Sequence, residues 1–177
     1  MNIKKKNDRK RQQCDLILDS KYIIDFINDI NTFLNSINPY LEIQPYVIIK
    51  SLSGCQEQAA HIDYILNDEL KNTSQDKMPL AVIIALQNNT KINVWPGSIL
   101  LHKYKGPPIK KTILTLNKGD IFLFRGDLVH AGASYEDENI RLHTYLDSPD
   151  VSRQHNTTYI IQKHGTQDII NKIDVSL

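Results

Sequence analysis

The sequence predicts a mainly β fold, a β-sandwich or closed double sheet of jelly-roll type behind one leading N-terminal helix. Three observations predict it. Short apolar runs punctuated by turn residues recur from Tyr46 to Leu146, at strand rather than helix length. A single long helical pattern stands near the start, so strands do not alternate with helices as a doubly wound sheet requires. No repeat or second apolar unit interrupts the chain. Its 177 residues suit one domain, long enough to bury roughly 70% of the unfolded surface.

Taken in order, residues 1–13 carry Lys4, Lys5, Lys6, Arg9, Lys10 and Arg11 with no apolar anchor. They read as a flexible basic tail, leaving 14–177 as the single domain. Two other readings stand beside this one: a localisation signal that would direct the chain to the nucleus, and a grip on nucleic-acid phosphates. From Asp15 to Ile37, Leu16, Ile17, Ile23, Ile24, Ile27, Ile30, Phe33 and Leu34 recur at helical steps, and Asn38-Pro39 ends the helix. The run Tyr46–Lys50 reads as a strand closed by Ser53-Gly54, and residues 64–77 as a polar surface loop. Leu80–Leu86 is short enough for a buried strand, and Asn88-Asn89 turns the chain into Ile92–Trp95. Thr112–Leu116 and Ile121–Phe124 are expected to pair as a hairpin across Asn117–Asp120. Ile140–Leu146 alternates as a strand. The C-terminal part offers a short strand at Thr158–Gln162 and a weak helix around Gln167–Ile173.

Composition excludes several classes. A formal net charge of +1 gives no whole-chain field for nucleic acid or membrane. Cys14 and Cys55 are too few for a disulfide framework and lack zinc-site spacing. No run approaches ~20 apolar residues, and the basic N-terminus lacks a following apolar segment. An intracellular, soluble protein without a membrane partner is expected, cytoplasmic unless the basic segment redirects it.

The chemistry concentrates in two places. Gln58–Asp63, QAAHID, sets His61 and Asp63 two residues apart, on one face of an extended segment. Gly119–Asp147 places His130 between two strand patterns and Arg141 eleven residues further on. Two imidazoles and one carboxylate, distant in sequence, are the ligand set of a non-haem Fe(II) site. Each part alone is weak: HxD is common, a histidine after an apolar strand is usually structural, and Arg141 could pair with Glu136 or Glu138. Their order is far more specific. No helix-based zinc signature such as HExxH is present.

In QAAHID, in Pro96-Gly97-Ser98 after a strand, and in HAGASYEDENIRLHTYLD, the chain resembles the Fe(II)- and 2-oxoglutarate-dependent dioxygenase superfamily. Both its phytanoyl-CoA hydroxylase-like and its prolyl-4-hydroxylase-like branches come into view, over roughly residues 45–147. The resemblance implies a double-stranded β-helix of cupin-like, jelly-roll form. It makes His61, Asp63 and His130 the Fe(II) ligands and Arg141 the anchor for 2-oxoglutarate, with O2 as second cosubstrate and succinate and CO2 released. Two departures stand out: His143 replaces a hydroxyl residue two positions after the arginine, and Gly132 stands where a serine is expected in the phytanoyl type. Tyr46, Lys50 and Trp95 are further pocket candidates.

The implied reaction is hydroxylation or oxidative demethylation of a substrate the sequence does not name. Loops at the barrel mouth must select it. The 102–110 loop groups His102, Lys103, Lys105 and Lys110 beside Lys111, which points to an anionic substrate or a polypeptide segment rather than a neutral lipid. The competing reading is a cupin-like metal-binding module without turnover. Nucleic acid held by the basic tail is a third.

Overall fold

A computed structural model of the chain describes residues 9–64, 68–98, 110–153, 157–164 and 167–174. Their elements in chain order begin with β1 (Arg11–Asp15), α1 (Lys21–Ile37), β2 (Glu42–Ile43), β3 (Val47–Ser51), β4 (His61–Ile62), α2 (Asp68–Asn72) and β5 (Leu80–Ala85). They continue with β6 (Thr90–Val94), β7 (Thr112–Leu116), β8 (Ile121–Arg125), β9 (His130–Gly132), β10 (Asn139–Asp147), β11 (Thr157–His164) and β12 (Gln167–Asp174). They form two antiparallel sheets. One runs β1-β3-β10-β5-β8, with β2 added to the end of β10, and the other runs β12-β11-β4-β9-β6-β7. The expected jelly roll is what the chain forms.

Side-chain alternation divides the first sheet cleanly. In β10, Leu142 and Leu146 join Val82, Ile84 and Tyr46 against Ile27, Ile30 and Leu34 of α1. The intervening positions of β10, namely Arg141, His143 and Tyr145, turn the other way, into the space between the sheets. Directly opposite residues share a face, so Ala81, Ile83 and Ala85 of β5 and Phe122 and Phe124 of β8 line the same interior. Ile92, Val94 and Leu116 meet them from the second sheet.

The helix begins later than its apolar pattern does. Ser20 caps it, its Oγ accepting from the Ile23 amide at 3.3 Å, and Asp15 belongs to β1 instead. Leu16 and Ile17 precede the helix, and its buried face is too narrow for all the rest: Ile24 and Phe33 are exposed. Residues 11–13 are also not tail, because β1 pairs with β3 from Arg11↔Ser51 to Asp15↔Val47. A polar strand can add to a sheet edge through its backbone alone. Lys4, Lys5 and Lys6 lie outside the described residues, as do His102, Lys103 and Lys105.

Three further expectations are corrected. Thr112–Leu116 and Ile121–Phe124 form no hairpin: β7 pairs with β6 and β8 with β5, in opposite sheets. Gly119, at φ 94°, and Asp120 bond back to Ala85 at 2.8 and 3.0 Å, so the connection crosses from sheet to sheet with both apolar faces turned inward. Residues 68–72 form a short helix whose Leu70 is buried with Tyr64, Met78 and Val151, rather than a surface loop. The C-terminal segment is a strand, not a helix, and β12 pairs with β11 along its length. Its β-branched isoleucines suit a sheet edge better than an isolated helix.

Candidate metal centre

β4 and β9 are neighbours, and His61 stands directly opposite His130. The two rings face each other with centroids 4.4 Å apart. Asp63 follows β4 by one residue and is held by backbone bonds from Asp63 and Tyr64 to the Gly126 carbonyl, at 3.2 and 3.3 Å. Gly126 is required there, since a Cβ would lie 2.0 Å from the Tyr64 ring. One ligand atom from each of His61, Asp63 and His130 lies within 4.8 Å of the others, and all three residues are buried.

Backbone bonds fix how the histidines present themselves. Nδ1 of His61 lies 2.8 Å from the Ala59 carbonyl, and Nδ1 of His130 lies 3.0 Å from that of Leu128. A carbonyl only accepts, so each Nδ1 carries the proton and each neutral ring turns the Nε2 lone pair inward. That nitrogen is 4.0 Å from Asp63 Oδ1 in His61 and 3.4 Å from Oδ2 in His130. Asp63 Oδ2 is buried and accepts no hydrogen bond from the described residues. Lone pairs converging on one point without a proton between them suit a divalent cation, and carbonyl-oriented imidazoles are how metal ligands are commonly held.

The electrostatics agree. Burial raises the Asp63 pKa to about 6, although His61, Arg153 and a hydrogen bond from Tyr145 pull it down. Burial lowers that of His130 to about 4. A buried carboxylate and a neutral imidazole side by side are what a metal ion would stabilise. His143, on the interior face of β10 against the Tyr145 ring (4.6 Å, edge to face), is lowered to about 3, first by burial and then by His130 and Arg141.

That shift has a sign. Between pH ~6.5 and ~3 the unfolded chain holds a proton that the folded His143 refuses, so acidification lowers stability through this window by up to ~1.4 kcal/mol per pH unit. Urea melts of metal-free protein at pH 6.0 and 4.5 should therefore differ less in His143→Leu than in the parent. An unchanged difference would refute the assignment.

Arg141 is 4% exposed on the same interior face. Its Nη1 donates to Ser51 Oγ at 3.0 Å, and its guanidinium lies 5.7 Å from the centre of the Tyr135 ring. It pairs with neither Glu136 nor Glu138; the latter binds Lys50 at 2.8 Å. Burial lowers its pKa to about 10, which leaves it charged near neutrality.

No family model and no curated protein matches the sequence. Solved structures do match. HygX from Streptomyces hygroscopicus, solved with nickel and 2-oxoglutarate, superposes at TM-score 0.58 and 10% identity, over 83% of this chain and 74% of that one. A Pseudomonas putida prolyl-4-hydroxylase gives 0.55 and 11%, over 78% and 71%. These structures share with this chain the double-stranded β-helix expected from its sequence. The non-haem α-ketoglutarate-dependent epimerase SnoN, of nogalamycin biosynthesis, shares it at TM-score 0.54 and 15% identity, over 85% of this chain. The chain spans only 63% of SnoN's own length.

Within this fold, the four residues singled out from sequence gather in one interior, His61 and His130 on β4 and β9, Asp63 just after β4, and Arg141 on the inward face of β10. The other candidates do not. Tyr46 and Lys50 alternate with Val47 and Ile49, which face inward opposite His143 and Arg141, so both point outward. The Tyr46 hydroxyl bonds Asn31 of α1. Trp95 packs with Ile62, Val129 and Tyr159 on the outer side of the second sheet. A hydroxyl does stand beside Arg141, that of Ser51 on β3. Reasoning from sequence also missed Tyr145, on the same inward face of β10, which helps pull the Asp63 pKa down, and Phe124, whose ring stands edge-on to His130 at 4.7 Å. The two-residue step from Arg141 through His143 was the signal for Tyr145; nothing local announced Ser51.

Proposed function

We propose that the chain is an Fe(II)- and 2-oxoglutarate-dependent oxygenase that hydroxylates or oxidatively demethylates an anionic substrate or a polypeptide segment. One observation carries this reading: a buried His-Asp-His cluster with converging lone pairs faces an interior that also holds a buried guanidinium with no carboxylate partner among the described residues.

His61, Asp63 and His130 would hold the metal, with Tyr145 beside the carboxylate on the inward face of β10. Arg141, set by Ser51, would take the far carboxylate of 2-oxoglutarate with charge-assisted bonds. Ile83, Phe122 and Phe124 make the adjoining wall apolar and keep water from it. When bound, iron and 2-oxoglutarate supply oxygen activation, with succinate and CO2 as the coproducts.

Substrate charge is supported by the lysines that precede β7, whose first residue, Thr112, lies opposite Val94 and so two strands from His130. Lys110 is exposed, whereas Lys111 is partly neutralised by Glu57 at 2.8 Å. Succinate formation from 2-oxoglutarate is the decisive assay, with acidic peptides, nucleotides, oligonucleotides, small acids and neutral apolar compounds as candidates. Turnover is expected with the charged compounds or peptides and should fall when Lys110 is changed to Glu. Turnover confined to neutral apolar compounds would overturn the substrate class. Metal retention without decarboxylation under any of them would favour a binding module.

A further inference from the structure

Arg141 is not the only guanidinium at its end of the interior. The register Arg11↔Ser51↔Asn139 puts Arg11 on the inward face of β1, directly opposite Ser51, whose hydroxyl accepts from Arg141. From this edge it reaches the opposite sheet. Its Nη2 donates to the carbonyls of Ala133 at 2.8 Å and Gln56 at 3.1 Å, and lies 3.6 Å from the Cys55 sulfur. Nε and Nη1 are buried and make no hydrogen bond to the described residues. Two donors of a permanent cation left bare inside a protein are costly unless an acceptor arrives.

Gly132 makes the approach feasible. A Cβ there would sit 2.8 Å from Arg11 Nη1 and 2.5 Å from Gln58 Oε1, so a serine at this position would collide with the guanidinium. Arg11 and Arg141 also feel each other and the same Tyr135: repulsion from Arg11 helps lower the Arg141 pKa, after burial. Neither has a carboxylate partner among the described residues. Two adjacent cations and no acid call for an anion.

We propose that Arg11 is a second anchor for the far carboxylate of the 2-oxo acid, delivered by the N-terminal strand to the pocket of Arg141. The inference rests on the function proposed above. It makes Arg11 a binding residue rather than a strap between β1 and the Gln56 and Ala133 backbone. A strap would stabilise the protein equally for every ligand; an anchor acts only on ligands that carry the far charge.

The test is anaerobic calorimetry on Mn(II)-loaded protein with 2-oxoglutarate and with 2-oxovalerate, which has the same chain length and no far carboxylate. The parent should prefer 2-oxoglutarate. Arg11→Gln should weaken 2-oxoglutarate by roughly tenfold to a hundredfold and leave 2-oxovalerate and Mn(II) binding unchanged. Should that variant fail to fold, Arg11→Lys carries the test, with a several-fold loss confined to 2-oxoglutarate. Equal affinity in variant and parent, or equal loss for both acids, overturns the anchor and leaves the oxygenase reading intact. A parent that binds no 2-oxoglutarate in the presence of Mn(II) overturns both.

Discussion

His130→Ala should abolish divalent metal binding while leaving the fold standing. The imidazole supplies one of three protein ligands, and even residues that merely orient a ligand typically change metal affinity 10–100-fold, so losing a ligand should cost more than about a hundredfold. The fold should survive because the α1-side core of Ile27, Ile30, Leu34, Val82, Leu142 and Leu146 does not touch this ring. In the metal-free state the substitution also removes the lone pair that faces Asp63 Oδ2 at 3.4 Å. Titrating Mn(II) into parent and variant, with thermal melts alongside, checks both halves. Metal bound as tightly by the variant as by the parent would mean the cluster is no metal site.

Arg141→Ala should act on the cosubstrate and spare the metal. Each charge-assisted hydrogen bond contributes about 1.5–3 kcal/mol, so deleting a two-pronged guanidinium–carboxylate interaction weakens binding on the order of a hundredfold or more. The variant should still take up Mn(II) as the parent does, because the guanidinium belongs to β10 and the ligands to β4 and β9. Anaerobic calorimetry with 2-oxoglutarate after metal loading reads the difference directly. Equal affinity for 2-oxoglutarate would remove Arg141 from the pocket.

How far the sequence could be read depended on whether the deciding physics was local. The alternation of β10 was legible because one of its faces is apolar and the other polar. That His61, Asp63 and His130 would cluster was legible because metal chemistry allows few residue types. Pairing was harder. The segments around Asn117–Asp120 are two strands joined by a turn, but whether such strands lie side by side or face to face depends on which edges are free elsewhere. β1 is the extreme case: RQQCD has no apolar alternation, and only the open edge of β3 makes it a strand. Tyr46, Lys50 and Trp95 were misplaced by a single step of parity, which a strand's ends decide and its composition does not. Ser51 reaches Arg141 from 90 positions away in the chain, a proximity that only the closed sheet creates.

The strands bearing the metal ligands are short, two residues in β4 and three in β9. A ladder so brief holds its two sides weakly, so an ion shared by His61 and His130 would also act as a cross-link. It would close a loop of 69 positions (130 − 61), much as a disulfide would, but reversibly and under the control of metal supply. Binding energy at the centre would then double as folding energy for the half of the molecule built on the second sheet. The half braced by α1 has its own core and needs no such clamp. A chelator would therefore loosen the protein unevenly, from the side of His61 and His130 first.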